Sequence, residues 1–159
     1  MEHTILSSNS MRTSLESIYN GSAGLNSHRK NLLERVPNSN DWAAFPLDTI
    51  EIKDIAYLSA ATHHEFALLR GKSRDILFHG VYGHCNFTGE LLDLLRSKKL
   101  RLIAHSHPDV EHIVPSQDDR NFLSYINQES STIISYITGI ERQFTTNAFT
   151  DLSGGKTNA

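Results

Sequence analysis

The apolar positions of this chain change their period along its length, and each change marks out an element. Within Lys53–Thr62, Ile55, Ala56, Leu58 and Ala61 recur at helical spacing and predict a helix of about three turns. Glu65–Gly71 is a short apolar run closed by a glycine, and Asp75–Val81 is a second, which predicts two strands. Thr88–Ser97 returns to the helical period through Leu91, Leu92, Leu94 and Leu95, with Thr88 placed as N-cap. Leu100–His107 reads as a buried strand. Ser116–Asn127 reads as a helix with Phe122, Leu123 and Ile126 inward, and Ser131–Ile137 as a β-branched strand. A turn at Thr138-Gly139 leads into Ile140–Phe149 and closes a hairpin. Helix, two strands, helix, strand, helix and hairpin, in that order, predict an α/β fold with a mixed β-sheet flanked by helices.

Before residue 47 the pattern is weaker. Polar clusters stand at Ser7-Ser8-Asn9-Ser10 and Asn38-Ser39-Asn40, and only Asn26–Val36 shows helical spacing, through Leu32, Leu33 and Val36, before Pro37 stops it. Residues 1–46 are read as a loosely attached polar extension, partly helical or disordered, whose end is anchored by Trp42, Phe45 and Pro46. Residues 47–152 form the domain. Residues 153–159, which open with Ser-Gly-Gly, are read as a flexible tail.

At 159 residues the chain is long enough to bury a core without disulfides or a structural metal, so a metal site here points to function rather than folding. Cys85 is the single cysteine, which excludes an intramolecular disulfide and cysteine-rich zinc knuckles and fits a reducing compartment. The N-terminus lacks a signal-peptide pattern, and no stretch approaches the roughly 20 apolar residues of a membrane span. A cytoplasmic protein with no membrane partner is expected. The formal charge of −3 gives no electrostatic case for nucleic acid, and the short basic run from Arg96 to Arg101 is read as a solvated helix end.

The chemistry concentrates in Leu102-Ile103-Ala104-His105-Ser106-His107-Pro108, followed by Pro115-Ser116-Gln117-Asp118-Asp119. Strand residues two apart project to one face, so His105 and His107 can aim at one point. A carboxylate from the next helix would complete three N/O ligands with one open position, the pattern of a catalytic zinc ion. Such an ion needs a general base, and Glu65, at the head of an apolar strand where a carboxylate is odd for packing, is the candidate.

These segments resemble the JAB1/MPN/Mov34 metalloenzymes, the JAMM proteases. Glu65-Phe66-Ala67-Leu68-Leu69-Arg70-Gly71 matches the glutamate-led strand of that family. His105-Ser106-His107-Pro108 matches its histidine motif, and Ser116-Gln117-Asp118-Asp119 its serine–aspartate motif, so the resemblance covers roughly residues 48 to 145. It implies a cytidine-deaminase-like sandwich and Zn2+ held by His105, His107 and one aspartate. It also implies Glu65 as general base and Ser116 as hydrogen-bond donor to the oxyanion of a tetrahedral intermediate, in hydrolysis of a peptide or isopeptide bond. The implied substrate is a protein or peptide, with a ubiquitin-like modifier among the candidates. The short distance from Glu65 to His105 favours a compact, prokaryote-like member. The same fold also serves as a noncatalytic interaction scaffold, and RadC-like and toxin-associated bacterial proteins carry related domains.

Two registers compete for the aspartate. Counting from His107 selects Asp118, and counting from Ser116 selects Asp119. Asp119 is preferred because, with Ser116 as N-cap, it occupies N3 and keeps a fixed relation to the serine, while the loop from Asp109 to Val114 absorbs the extra residue. Other polar residues are read as ordinary: His63 and His64 as a polar turn, Asp109, Glu111 and His112 as exposed loop. His79, His84 and Cys85 lack the spacing of a second zinc site, and Cys85 lacks a paired base.

Overall fold

The computed structural model describes residues 9–108, 113–147, 149–150 and 157–158. In chain order the elements are α1 (Asn9–Tyr19), α2 (Ser27–Arg35), β1 (Trp42–Pro46), α3 (Ile52–Thr62), β2 (Phe66–Gly71) and β3 (Arg74–His79). They continue with α4 (Gly89–Arg96), β4 (Leu100–His107), α5 (Gln117–Tyr125), β5 (Ser130–Ser135) and β6 (Glu141–Thr145). Two-residue strands β7 (Phe149–Thr150) and β8 (Thr157–Asn158) follow. Six principal strands lie in the order β1-β3-β2-β4-β5-β6, and β7 and β8 extend the β6 edge. All neighbours are antiparallel except β4 and β5, which run parallel and are joined through α5. This is the α/β class with a mixed sheet flanked by helices that the hydrophobic pattern predicts.

Helices cover both faces. Leu15 and Ile18 of α1, Leu32 of α2 and Ile55 and Leu58 of α3 pack on one face against Phe66, Leu68, Leu77, Ala104 and Ile134. Leu91 and Leu95 of α4 and Leu123 of α5 pack on the other against Ala67, Leu69, Ile76, Leu102 and Ile133. The alternation along β2, with Phe66 and Leu68 to one side and Ala67 and Leu69 to the other, is why this strand is apolar throughout.

The segment before residue 47 differs from the loose extension expected. β1 is a full strand, paired antiparallel with β3 from Trp42↔Phe78 to Pro46↔Arg74. Leu15 and Val36 are fully buried, and the Arg29 guanidinium donates to Asp54 at 2.9 Å while lying 3.9 Å from the centre of the Tyr57 ring. The boundary expected at residue 46 therefore falls at the end of a sheet strand, and residues 15–46 share the core of the rest. Met11, Leu15, Ile18 and Tyr19 carry the i, i+4, i+7, i+8 spacing that announces α1, inside a run whose serines and asparagines mask it. The tail 153–159 lies outside the described residues except for Thr157–Asn158, which form β8. The final strand, expected over Ile140–Phe149, is shorter, ending at Thr145.

One irregularity decides where the chemistry points. Leu68 pairs with Ala104 and Leu69 with Leu102, so Ile103 is an extra residue in β4. Strict alternation would place Leu102 and Ala104 on one face, yet they belong to opposite halves of the core. The bulge resets the alternation, and His105 and His107 emerge on the α5 side, with Ser106 between them facing α3. There Ser106 accepts the Phe66 N–H at 2.8 Å and lies 2.6 Å from the Ser59 hydroxyl, tying β4 to β2 and α3.

Candidate metal centre

The carboxyl end of β4 and the N-terminus of α5 meet where parallel β5 flanks one side of β4 and antiparallel β2 the other, the kind of crevice in which α/β sheets bind ligands. Ser116 is the N-cap of α5. Its hydroxyl accepts the Asp119 N–H at 3.0 Å, and its own N–H donates to Asp119 Oδ2 at 2.9 Å, a reciprocal capping box. The cap fixes the Asp119 carboxylate, which then reaches both histidines: Oδ1 lies 3.1 Å from His105 Nε2, and Oδ2 lies 3.0 Å from His107 Nε2. The two Nε2 atoms are 3.1 Å apart.

Three lone-pair atoms thus converge on one point, all within 4.8 Å of one another. Donors about 2.0–2.1 Å from a tetrahedral ion stand about 3.3 Å apart; the imidazole pair stands at 3.1 Å, and each imidazole meets a different oxygen of the one carboxylate at 3.0–3.1 Å. Two imidazoles and a carboxylate are the donor set that suits a borderline ion such as zinc, so the residues fit a divalent cation. Asp119 and not Asp118 belongs to the cluster. Asp118, one position earlier on α5, is exposed and lines the cavity only.

The electrostatics suit ligation. Burial raises the Asp119 carboxyl, but hydrogen bonds from His105 and His107 and their charge outweigh it and hold the group far below the ordinary carboxylate range. The α5 N-terminus adds to this. His105 is displaced downward, chiefly by burial and also by His107, against the opposing pull of Asp119. A neutral imidazole beside an ionised carboxylate is the protonation state a metal requires.

Glu65 lies on the same side. It is 4 % exposed and stands just before β2, where continuing the Ala67↔His105 register by two residues brings it opposite His107. Glu65, His105, His107, Ser116, Asp118 and Asp119 share one cavity of about 380 Å³. The backbone of Glu65 is pinned by its N–H to the Val81 carbonyl at 3.0 Å and by its carbonyl accepting the Gly80 N–H at 2.7 Å. A Cβ on Gly80 would come within 2.7 Å of the Glu65 and His84 carbonyl oxygens and 2.9 Å of Cys85 Sγ, so only glycine lets this turn close on Glu65.

The remaining wall includes Cys85, Asn86, Phe87, Leu102 and Phe122, none of which the sequence patterns mark as part of a site. Cys85 is held well above the ordinary thiol range by burial and then by the negative charges of Glu65 and Asp119, so it remains a protonated thiol. His84 also lines the cavity, whereas His63 and His64 do not. His63 is instead the left-handed C-cap of α3, 3.0 Å from the Tyr19 carbonyl oxygen, and His64 Nδ1 lies 2.8 Å from His79 Nε2. Asp109, Glu111 and His112 lie outside the described residues.

Compared with known proteins, the chain matches no family model, no curated protein and no solved structure. No helix among the described residues is long and apolar enough to cross a membrane.

Proposed function

We propose that the protein is a zinc-dependent hydrolase that cleaves a peptide or isopeptide bond in a protein or peptide substrate, a ubiquitin-like modifier being one candidate. The observation that carries this reading is the convergence of His105 Nε2, His107 Nε2 and the Asp119 carboxylate at 3.0–3.1 Å on the wall of a cavity that Glu65 also lines. Bound there, a zinc ion would polarise the substrate carbonyl and lower the pKa of a water in its open position. Glu65 takes the proton released when water attacks the carbonyl carbon and passes it to the departing amine nitrogen. Its burial beside His107 keeps it close to the reacting atoms and shields the transfer from bulk solvent.

Ser116 has a second use for its hydroxyl. The oxygen accepts the Asp119 N–H, which leaves its hydrogen to donate to the oxyanion that develops on the carbonyl oxygen. Phe87, Leu102 and Phe122 give the cavity an apolar wall against which a substrate side chain can pack. A cytoplasmic setting belongs to the same reading, since the lone Cys85 offers no disulfide partner.

The test pairs metal content with turnover. The probe is a peptide whose lysine side chain carries Gly-Gly through an isopeptide bond, incubated with zinc-loaded protein. Wild type is expected to hold about one zinc per chain, to lose it to a chelator, and to release Gly-Gly. Glu65→Gln is expected to keep the metal and lose roughly 10²–10⁴-fold in rate. Full activity in the glutamine variant, or a folded wild type that takes up no zinc, overturns the proposal; the second result returns the protein to a noncatalytic scaffold.

A further inference from the structure

The far end of the same sheet carries a different kind of chemistry. A concavity of about 750 Å³ opens between the β2–β3 turn, the C-terminal end of α4 and the start of β4. Arg70, Lys72, Arg74, Lys98, Lys99 and Arg101 line it, and no Asp or Glu does. In a chain whose formal charge is −3, six cations meet here from segments far apart in sequence.

Three of the six have structural contacts, Arg101 among them through a guanidinium N–H to the Ser130 carbonyl at 3.4 Å. Arg70 is neutralised by Asp75, Nε to Oδ1 at 2.7 Å, and Lys98 donates to the Ile126 carbonyl at 3.0 Å. Among the described residues no carboxylate pairs with Lys72, Arg74, Lys99 or Arg101, and Lys72, Lys99 and Arg101 are exposed. Arg70 and Arg101 stand directly opposite one another in the β2–β4 register, and with Arg70 paired to Asp75 the charge left unpaired by a carboxylate there is that of Arg101. Favourable contact with the α4 C-terminus accounts for one nearby cation, not for six.

We propose that this face binds the phosphodiester backbone of double-stranded nucleic acid. Arg70 and Arg101 face one side of the sheet, Arg74 on β3 faces the other, and Lys72, Lys98 and Lys99 lie in the turns at its end, so the cations are spread around the end of the sheet instead of converging on one point. That spread matches a linear polyanion and not a single small anion. No aromatic side chain lines the concavity, so base stacking, the grip of single-strand binders, is missing, while phosphate contacts are supplied. The net charge argues against nucleic acid only if charge is spread evenly, and a polyanion responds to the local field. Since β4 begins here and ends at His107, roughly 20 Å away by strand rise, bound nucleic acid anchors the protein without entering the catalytic cavity.

The experiment is fluorescence anisotropy with a labelled 20-base-pair duplex of mixed sequence at 50 and 200 mM salt, using the full chain. Four phosphate contacts predict that affinity falls on the order of 100-fold between these salts. The double variant Lys72→Gln/Lys99→Gln, with two contacts left, is expected to bind more weakly and to fall only about 10-fold. Zinc content and any isopeptide hydrolysis should be unchanged in that variant, which separates failure here from failure at the cavity. No binding at 50 mM, equal salt dependence in the variant, or equal competition by poly-glutamate of matched charge overturns the proposal.

Discussion

The two ends of β4 differ in how they handle charge. At the carboxyl end, His105, His107 and Asp119 are drawn inward, the two histidines buried and Asp119 nearly so, and the atoms that face one another are aimed by a cap and a register, while His105 Nδ1 is buried with no hydrogen-bond partner. At the amino end, Lys99 and Arg101 stand exposed on flexible stems, Arg101 held only by a 3.4 Å hydrogen bond to the Ser130 carbonyl. Buried polar groups hold one geometry because any other leaves them unsatisfied, which is what bond chemistry needs. Exposed cations tolerate many geometries, which suits a partner recognised by charge density.

That contrast breaks first at the inward end. His107→Ala is expected to abolish zinc binding and reduce hydrolysis to background, read by metal analysis and turnover; retained zinc would remove the histidine pair from the site. Ser116→Ala removes the α5 cap and, under the proposed mechanism, an oxyanion donor. It should slow turnover by roughly 10²–10³-fold while costing about 1 kcal/mol in denaturant unfolding. A loss confined to stability would leave Ser116 with the cap alone. Asp119→Asn should lose zinc while Asp118→Asn keeps it, and equal behaviour would mean the carboxylate geometry does not govern ligation.

Asp75 lies between the two regimes, a buried carboxylate serving the basic end. Burial raises it, but the Arg70 hydrogen bond, the Ile50 N–H and the Arg70 charge bring it below its ordinary value. The sign follows: the folded value is lower than the unfolded one, so the contribution is complete above about pH 4 and fades as pH falls through the folded value. Asp75→Asn should cost about 3 kcal/mol near neutrality, with melting temperatures of variant and wild type converging in acid. Parallel curves would mean that the charge is not what stabilises the pair. Smallest of all, Lys72→Gln/Lys99→Gln should shift stability by no more than about 0.5 kcal/mol.

The same contrast explains what was legible from residues alone. The inward end is written locally: His-x-His on a strand, a serine three residues before an aspartate, and a helix period behind them. The preference for Asp119 over Asp118 rests on capping geometry, and the structure sets Asp119 against both histidines. The basic end is assembled from the β2–β3 turn and the α4–β4 turn, some 25 residues apart, so Arg96 to Arg101 read alone give the exposed helix end that the structure shows, and not the concavity it helps to line. β1 escapes the hydrophobic pattern for a related reason. Ala43 and Phe45 are buried and Trp42 partly exposed, an alternation too short to stand out until β3 supplies its partner.

Ile103 gives the strand something like a reading frame. Removing that one residue would leave a β4 still able to pair, but the side chains after it would exchange sides: Ser106 would meet the cavity, and both imidazoles would be thrust among Leu58, Leu68 and Ile134. A deletion at this position is therefore no minor shortening but a frameshift in three dimensions, and any redesign that straightens the strand would erase the site while preserving the sheet.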